Sequence, residues 1–278
     1  MQADYPLKSL CVALGVSRSG YYAWKGRRPS LRRQADERLA EQIRQVHQSS
    51  RATYGSPRVA AALRQAGTRT SRKRVARLMR QARLWGRQRR RFVPRTTDST
   101  HQLPIAPNHL AQGRPVCQTG QVWLSDITYV PTDEGWLYVA GVLDLHSRRL
   151  VGWAFGESLE SSLPLAALHM ALQHRAVRAG LLHHSDRGCQ YASTVYRDAL
   201  HRAGLRASMS RRACCYDNAA MESFWSSLKN ELVHRRRFAT RAEARVALFE
   251  WIEVFYNRQR LHSALGYMSP VDFENQNN

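Results

Sequence analysis

Three carboxylates stand where their surroundings would let them act together: Asp126, Asp186 and Glu222. Asp126 lies inside the β-branched, aromatic run VWLSDITYV, and Asp186 ends the apolar run LLHHSD, as a buried strand would deliver a carboxylate at its C-terminal end. Glu222 follows Asp217-Asn218, residue types that cap helices, on an amphipathic segment. At about 100° per residue, Asn218, Glu222, Ser226 and Lys229 share one arc, while Met221, Phe224, Trp225, Leu228 and Leu232 crowd the next. Such a helix buries one face and holds Glu222 at its polar margin, with Lys229 two turns on. Carboxylates held together repel, so their pKa values rise unless a cation neutralises them. An oxygen-only set suits Mg²⁺, which keeps several waters and leaves room for phosphate oxygens. Two such ions can activate an attacking oxygen and stabilise a leaving one, and Mn²⁺ is expected to substitute. Lys229 is placed to meet a phosphate or base at the reacting end, and Asn218 to orient Glu222 or contact the strand.

The spacing alone is weak, because 21 carboxylates are spread over 278 residues. Asp186 also reads as a turn residue before Arg187-Gly188, and Glu222 as a residue favoured near a helix N-terminus. Asp126 is harder to explain away, since an unpaired buried carboxylate is costly. Asp144 competes for the role, but its neighbours Ser147-Arg148-Arg149 suggest a salt-bridge partner.

Charge divides the chain. Residues 1–95 hold 24 Lys/Arg against 4 Asp/Glu, whereas residues 96–278 hold 19 against 17. A polycationic end seeks phosphate, since each neutralised phosphate releases counterions. No run of 18 apolar residues and no signal-peptide core is present, so a soluble, cytoplasmic protein without membrane contact is expected. The five cysteines lack disulfide-framework spacing, and with His183 and His184 they lack the paired spacing of structural zinc.

The elements that must position the carboxylates follow from pattern. Residues 5–27 read as helix, a turn at Gly15–Ser17, then helix, with Leu7, Leu10 and Leu14 at helical spacing. Residues 30–48 continue as helix, with Leu39, Ile43 and Val46 on one stripe. Ser56-Pro57 starts another, Gly67 ends it, and Ser71 caps RKRVARLMRQARL. There Val75, Leu78 and Met79 can face inward while Lys73, Arg77 and Arg80 line an outer face, expected to contact DNA rather than to be merely a solvated charged face. Six Lys/Arg and no acid occupy residues 72–83. RQRRRFVPR, with Arg89, Arg90 and Arg91, opens a basic linker suited to tracking a DNA backbone. From Gln121 come three strand-like runs, a helix, the LLHHSD strand, a helix, a short strand at RASMS and the Glu222 helix. Thr240-Arg241-Ala242-Glu243 has the form of a capping box, and a tail with loop signals closes the chain, its Arg258, Arg260 and His262 left between DNA contact and tying the tail to the core.

The wording around the carboxylates is the specific signal. HSDRGCQY, DNAxxESFWxxLK and YNxxRxHSALGxxSP resemble the integrase-type core of OrfB transposases of insertion-sequence family three, and the resemblance runs from about residue 5 to residue 273. It implies an α/β, RNase H-like mixed five-stranded sheet with flanking helices, preceded by all-α helix-turn-helix-type DNA-binding segments. The implied division is 1–50 and 51–95 for two basic helical segments, 96–120 for a linker, 121–235 for the catalytic core and 236–278 for a C-terminal helix and tail. In that fold the first and fourth strands adjoin, making Asp126 and Asp186 neighbours, and the last core helix brings Glu222 across. The expected assignment has Asp126 bridging two Mg²⁺ ions, with Asp186 on one and Glu222 on the other. The implied reaction frees a 3′-hydroxyl at an element end and joins it to another phosphodiester. The implied partners are double-stranded DNA (terminal repeats and target), a second copy of the chain, and an upstream-frame OrfA-type fusion or partner; the implied location is the nucleoid. Cys189 departs from the family's usual Ser. A structure-selective nuclease of the same fold and a DNA-binding regulator that no longer catalyses are the alternatives.

Overall fold

Helix caps and glycine turns set most element boundaries in the computed structural model, which describes residues 5–87, 102–112, 115–211 and 218–277. The chain divides into two units, Met1–Trp85 and Gly86–Asn278.

The first unit is all helical: α1 (Leu7–Ala13), α2 (Arg18–Gly26), α3 (Leu31–Ser49), α4 (Ser56–Gln65) and α5 (Arg72–Gln81). Gly15, at φ +62°, makes the turn between α1 and α2, and Ser17 Oγ accepts the Gly20 N–H to cap α2. Ser30 and Ser71 cap α3 and α5 in the same way. Gly55, rather than Ser56, occupies the cap position of α4, so Ser56-Pro57 forms its first turn. Leu39 and Ile43 of α3 share a buried core with Val59 and Leu63 of α4 and Val75, Leu78 and Met79 of α5. The expected boundary between residues 50 and 51 therefore lies inside a packed unit. In α1 the stripe differs from expectation: Cys11 is buried, whereas Leu14 is exposed.

The second unit is built on five strands: β1 (Val122–Thr132), β2 (Gly135–Asp144), β3 (Leu150–Gly156), β4 (Leu182–Ser185) and β5 (Arg206–Met209). They run in the order β3-β2-β1-β4-β5, with β1, β2 and β3 antiparallel and β4 and β5 parallel to β1. Helices α6 (Ser162–His174), α7 (Cys189–Ala192), α8 (Thr194–Arg202) and α9 (Ala219–Glu231) complete the core. This is the α/β, RNase H-like architecture expected, a mixed five-stranded sheet with flanking helices.

Residues after 235 are built into this unit. Helix α10 (Arg241–Phe249) is capped by Thr240 Oγ1, while Glu243 reaches back to the Ala239 N–H. It runs into a π-helical segment, Glu250–Tyr256, that buries Trp251, Ile252 and Phe255. Asn257 then clamps β3, accepting from Leu150 N–H at 3.0 Å and donating to Leu150 C=O at 3.1 Å. Turns fill residues 257–269, and beyond them the chain forms a further helix, α11 (Pro270–Asn277), where Ser269 Oγ accepts the Asp272 N–H. Its buried Glu274 pairs with Arg149 and Arg175, each at 2.7 Å. Of the two roles open for Arg260, the structure shows the tie: its guanidinium bonds Glu231 of α9.

Among the described residues Asp144 has no ion-pair partner within salt-bridge distance, although its charge works against the lowering that burial imposes on the pKa of the neighbouring Arg148. Asp144 is fully buried and accepts hydrogen bonds from Gly120 N, His146 N, Ser147 N and Ser147 Oγ, so it organises the β2–β3 turn.

Candidate active site

The sheet register brings two of the carboxylates together. Ser125 of β1 pairs with Ser185 of β4 in parallel, and the residue after each is Asp126 and Asp186. Beneath them lies a buried polar layer that satisfies itself. Ser125 Oγ and Tyr196 Oη lie 2.8 and 3.0 Å from His183 Nε2, and the two nitrogens of His184 lie 2.9 and 3.0 Å from Ser208 Oγ and Ser210 Oγ. Burial pushes His183 down to about 3, so this imidazole is neutral and serves as a strut.

Asp126 is partly buried and held at both oxygens. Oδ1 accepts the Ile127 N–H at 2.8 Å, and Oδ2 accepts Trp225 Nε1–H at 3.1 Å. Its pKa is pushed from 3.8 to about 8, first by burial, then by the charge of Asp186 and, more weakly, of Glu222; the two hydrogen bonds oppose the rise. Asp186 Oδ1 accepts the Gly188 N–H at 2.9 Å, which ties the start of the following turn to the carboxylate.

Helix α9 brings the third. Its apolar arc lies as the periodicity predicts, with Met221, Phe224, Trp225 and Leu228 buried, and Glu222 is exposed in its first turn. The seat of the helix is Gly141, the register partner of Asp126 on β2. A Cβ there would meet Met221 Cε at 2.8 Å and both Leu150 Cδ1 and Trp225 Cη2 at 3.1 Å, so glycine at this position gives α9 room to pack close to the sheet beside Asp126. Among the described residues no three His, Cys, Asp or Glu side chains are grouped so that they could hold a metal ion. The arrangement is an Asp126–Asp186 pair with Glu222 at its open side.

Lys229 lies over the Tyr129 ring, its Nζ 4.7 Å from the centroid. Burial lowers its pKa while the charge of Asp126 works against that, which sets the ammonium in the field of the carboxylates. Asn218 is buried at the N-cap of α9, but its side chain makes no capping bond, and Oδ1 has no partner among the described residues. Asp217 lies outside the described residues.

The expected DNA-contacting cations divide three ways. Lys73 and Arg80 are exposed on α5. Arg77, expected on the same outer face, instead joins Arg74 in binding Asp36 of α3, with Arg77 Nη2 to Asp36 Oδ2 at 2.6 Å; the two guanidinium groups hold the Asp36 carboxyl below its usual range. Arg89, Arg90 and Arg91 lie outside the described residues. Sequence reasoning missed Trp225, Gly141 and Tyr129 as parts of the site. Trp225 carried a signal in hindsight, because an indole on a buried helix face needs an acceptor for its N–H.

Residues 34–92 match the family model of an HTH-like domain, and residues 117–215 and 203–270 match two models of an integrase core domain. The chain is 48% identical over 264 residues to an uncharacterised 31 kDa protein of insertion element IS600 from Shigella sonnei, covering 95% of this chain and 97% of that protein. It is 41% identical over 278 residues to the transposase InsF for insertion sequence IS3A of Escherichia coli (strain K12), covering 99% and 96%. A solved structure of a simian T-cell lymphotropic virus intasome is similar over 84% of this chain and 74% of that one, at 15% identity and a TM-score of 0.48.

Proposed function

This chain belongs to the transposases of the IS3 insertion-sequence family, and from that premise we propose that Asp126, Asp186 and Glu222 form its reaction centre for cleaving element ends and joining the freed 3′-hydroxyl to a second phosphodiester. The observation that carries the reading is the Asp126–Asp186 pair with Glu222 nearby, where burial and then the charge of Asp186 raise Asp126 to about 8. Water and a 3′-hydroxyl are equivalent nucleophiles there, so one site serves cutting and joining.

An oxygen-only, self-repelling donor set fits a hard divalent cation, and Asp126, Asp186 and Glu222 are the residues that would hold Mg²⁺, or Mn²⁺ in its place. Bound there, the metal would favour deprotonation of the attacking hydroxyl and offset charge on the leaving oxygen. The protein's own groups do the rest. Trp225 helps fix the Asp126 carboxylate, which keeps further acceptor capacity beyond the two bonds it already takes. Lys229, packed on Tyr129, offers a cation to the phosphate beside the reacting bond. Asn218 presents Oδ1 at the start of the helix that carries Glu222. In the first unit, Lys73 and Arg80 face solvent on α5 and supply phosphate contacts that hold the DNA. Pairing of two element ends calls for a second copy of the chain, and an upstream-frame partner remains part of this reading.

A strand-transfer assay with Mg²⁺ on labelled terminal-repeat DNA, comparing the wild type with Glu222→Gln, tests the proposal. Joined products that disappear in the variant support it. Cutting without joining, still dependent on Glu222, points to a nuclease, and DNA binding with neither reaction points to a regulator.

A further inference from the structure

Beside the carboxylates, and partly lined by them, lies a recess whose aromatic walls phosphoryl transfer does not require. It encloses about 480 Å³, and its walls include Tyr129, Trp136, Tyr138 and Tyr191 together with Asp126 and Asp186. That volume lies within the roughly 300–1,000 Å³ of small-ligand pockets. Trp136 is 48% exposed, a large ring left in water beside a charged centre, and it meets Tyr129 edge-on at 4.8 Å. Tyr129 is the ring over which Lys229 lies. Tyr191 is buried, and its hydroxyl has no hydrogen-bond partner among the described residues, which leaves one polar group of the wall unsatisfied.

These features select an occupant. The described residues lining the recess include no Lys or Arg that could meet a phosphate, so an uncharged group suits it. Aromatic faces favour a planar ring, because every base has a π-face and base–aromatic stacking tolerates any sequence. Lys229 Nζ lies 4.7 Å from the Tyr129 centroid and outside the lining of the recess, which suits it to the phosphate of the nucleotide whose base enters. We propose that the recess receives one unpaired nucleobase of the DNA strand whose phosphate lies at Asp126 and Asp186, stacked on Trp136. The inference rests on the transposase reading and deepens it: base capture would hold the reacting strand open and set the position of its scissile phosphate.

The test pairs protein and DNA changes in the full chain carrying Glu222→Gln, so that binding is read without turnover. The probe is a duplex with the terminal repeat of the element, made intact and with one abasic residue at each of the last positions in turn. Trp136→Ala is expected to weaken binding to the intact duplex by roughly tenfold, and the loss should vanish for a single abasic position. Trp136→Phe keeps a ring and should retain most of the affinity, which separates lost stacking from lost folding. Equal loss on every duplex, or loss on none, overturns base capture. Joining by the chain with Glu222 intact is scored in parallel. Its absence counts against the transposase reading, whereas joining without the abasic-specific effect counts against the recess alone.

Discussion

Trp225 Nε1 donates to Asp126 Oδ2 across 3.1 Å, linking the helix that carries Glu222 to the strand that carries the central carboxylate. The bond does two things at once. It sets the orientation of Asp126, and it offsets part of the penalty that burial and Asp186 impose on the ionised form. The helix is in reach because Gly141 faces Asp126 across the β1–β2 pair.

Trp225→Phe keeps the ring packing and removes the donor. A hydrogen bond to a charged group is worth about 1.5–3 kcal/mol, so strand transfer is expected to fall by roughly ten- to a hundredfold. Terminal-repeat binding, measured by titration, should be nearly unchanged. A variant with full activity would show that the indole is only packing.

The raised pKa of Asp126 makes stability depend on pH. Between its ordinary 3.8 and about 8, the folded chain keeps a proton that the unfolded chain has released, so this group's contribution to stability is lost as pH rises through that window. Cation binding must displace the same proton and therefore strengthens with pH. Thermal melts should show a larger Mg²⁺-induced rise in Tm at about pH 8.5 than at about pH 6. Asp126→Asn should flatten the pH dependence, raise Tm without cation at the higher pH and abolish strand transfer. An equal Mg²⁺ effect at both pH values would count against Asp126 as a ligand.

Arg260 and Glu231 form a buried pair, with Nη2 to Oε1 at 2.7 Å and the arginine also donating to Ser227 Oγ. Removing one partner strands a buried charge, so Arg260→Leu is expected to cost about 3–5 kcal/mol in denaturant unfolding. Arg260→Leu with Glu231→Leu should recover most of that loss. No recovery would mean that the guanidinium acts mainly through its other contacts.

The α5 cations should separate by partner. Lys73→Gln and Arg80→Gln are each expected to lower the slope of log affinity against log salt by about 0.9 if they meet phosphate. Arg77→Gln, which breaks the pair with Asp36, should leave that slope unchanged and lower Tm instead. A slope change for Arg77 would place it on the DNA despite Asp36.

Much of this protein was legible from local pattern. Alternation and run length marked the strands around Asp126 and Asp186, and helical periodicity put Met221, Phe224, Trp225 and Leu228 inward, because each residue's burial there follows from its near neighbours. The charge of residues 1–95 likewise needed only counting. Tertiary structure decided what depends on distant partners. Trp225 and Asp126 are 99 positions apart, Asn257 reaches Leu150 across 107, and Arg77 finds Asp36 across 41. Nothing in the local pattern of any of these residues names its partner. The sheet register sets Asp126 beside Asp186, and the packing of α9 over Gly141 lets an indole of the apolar arc donate to the central carboxylate.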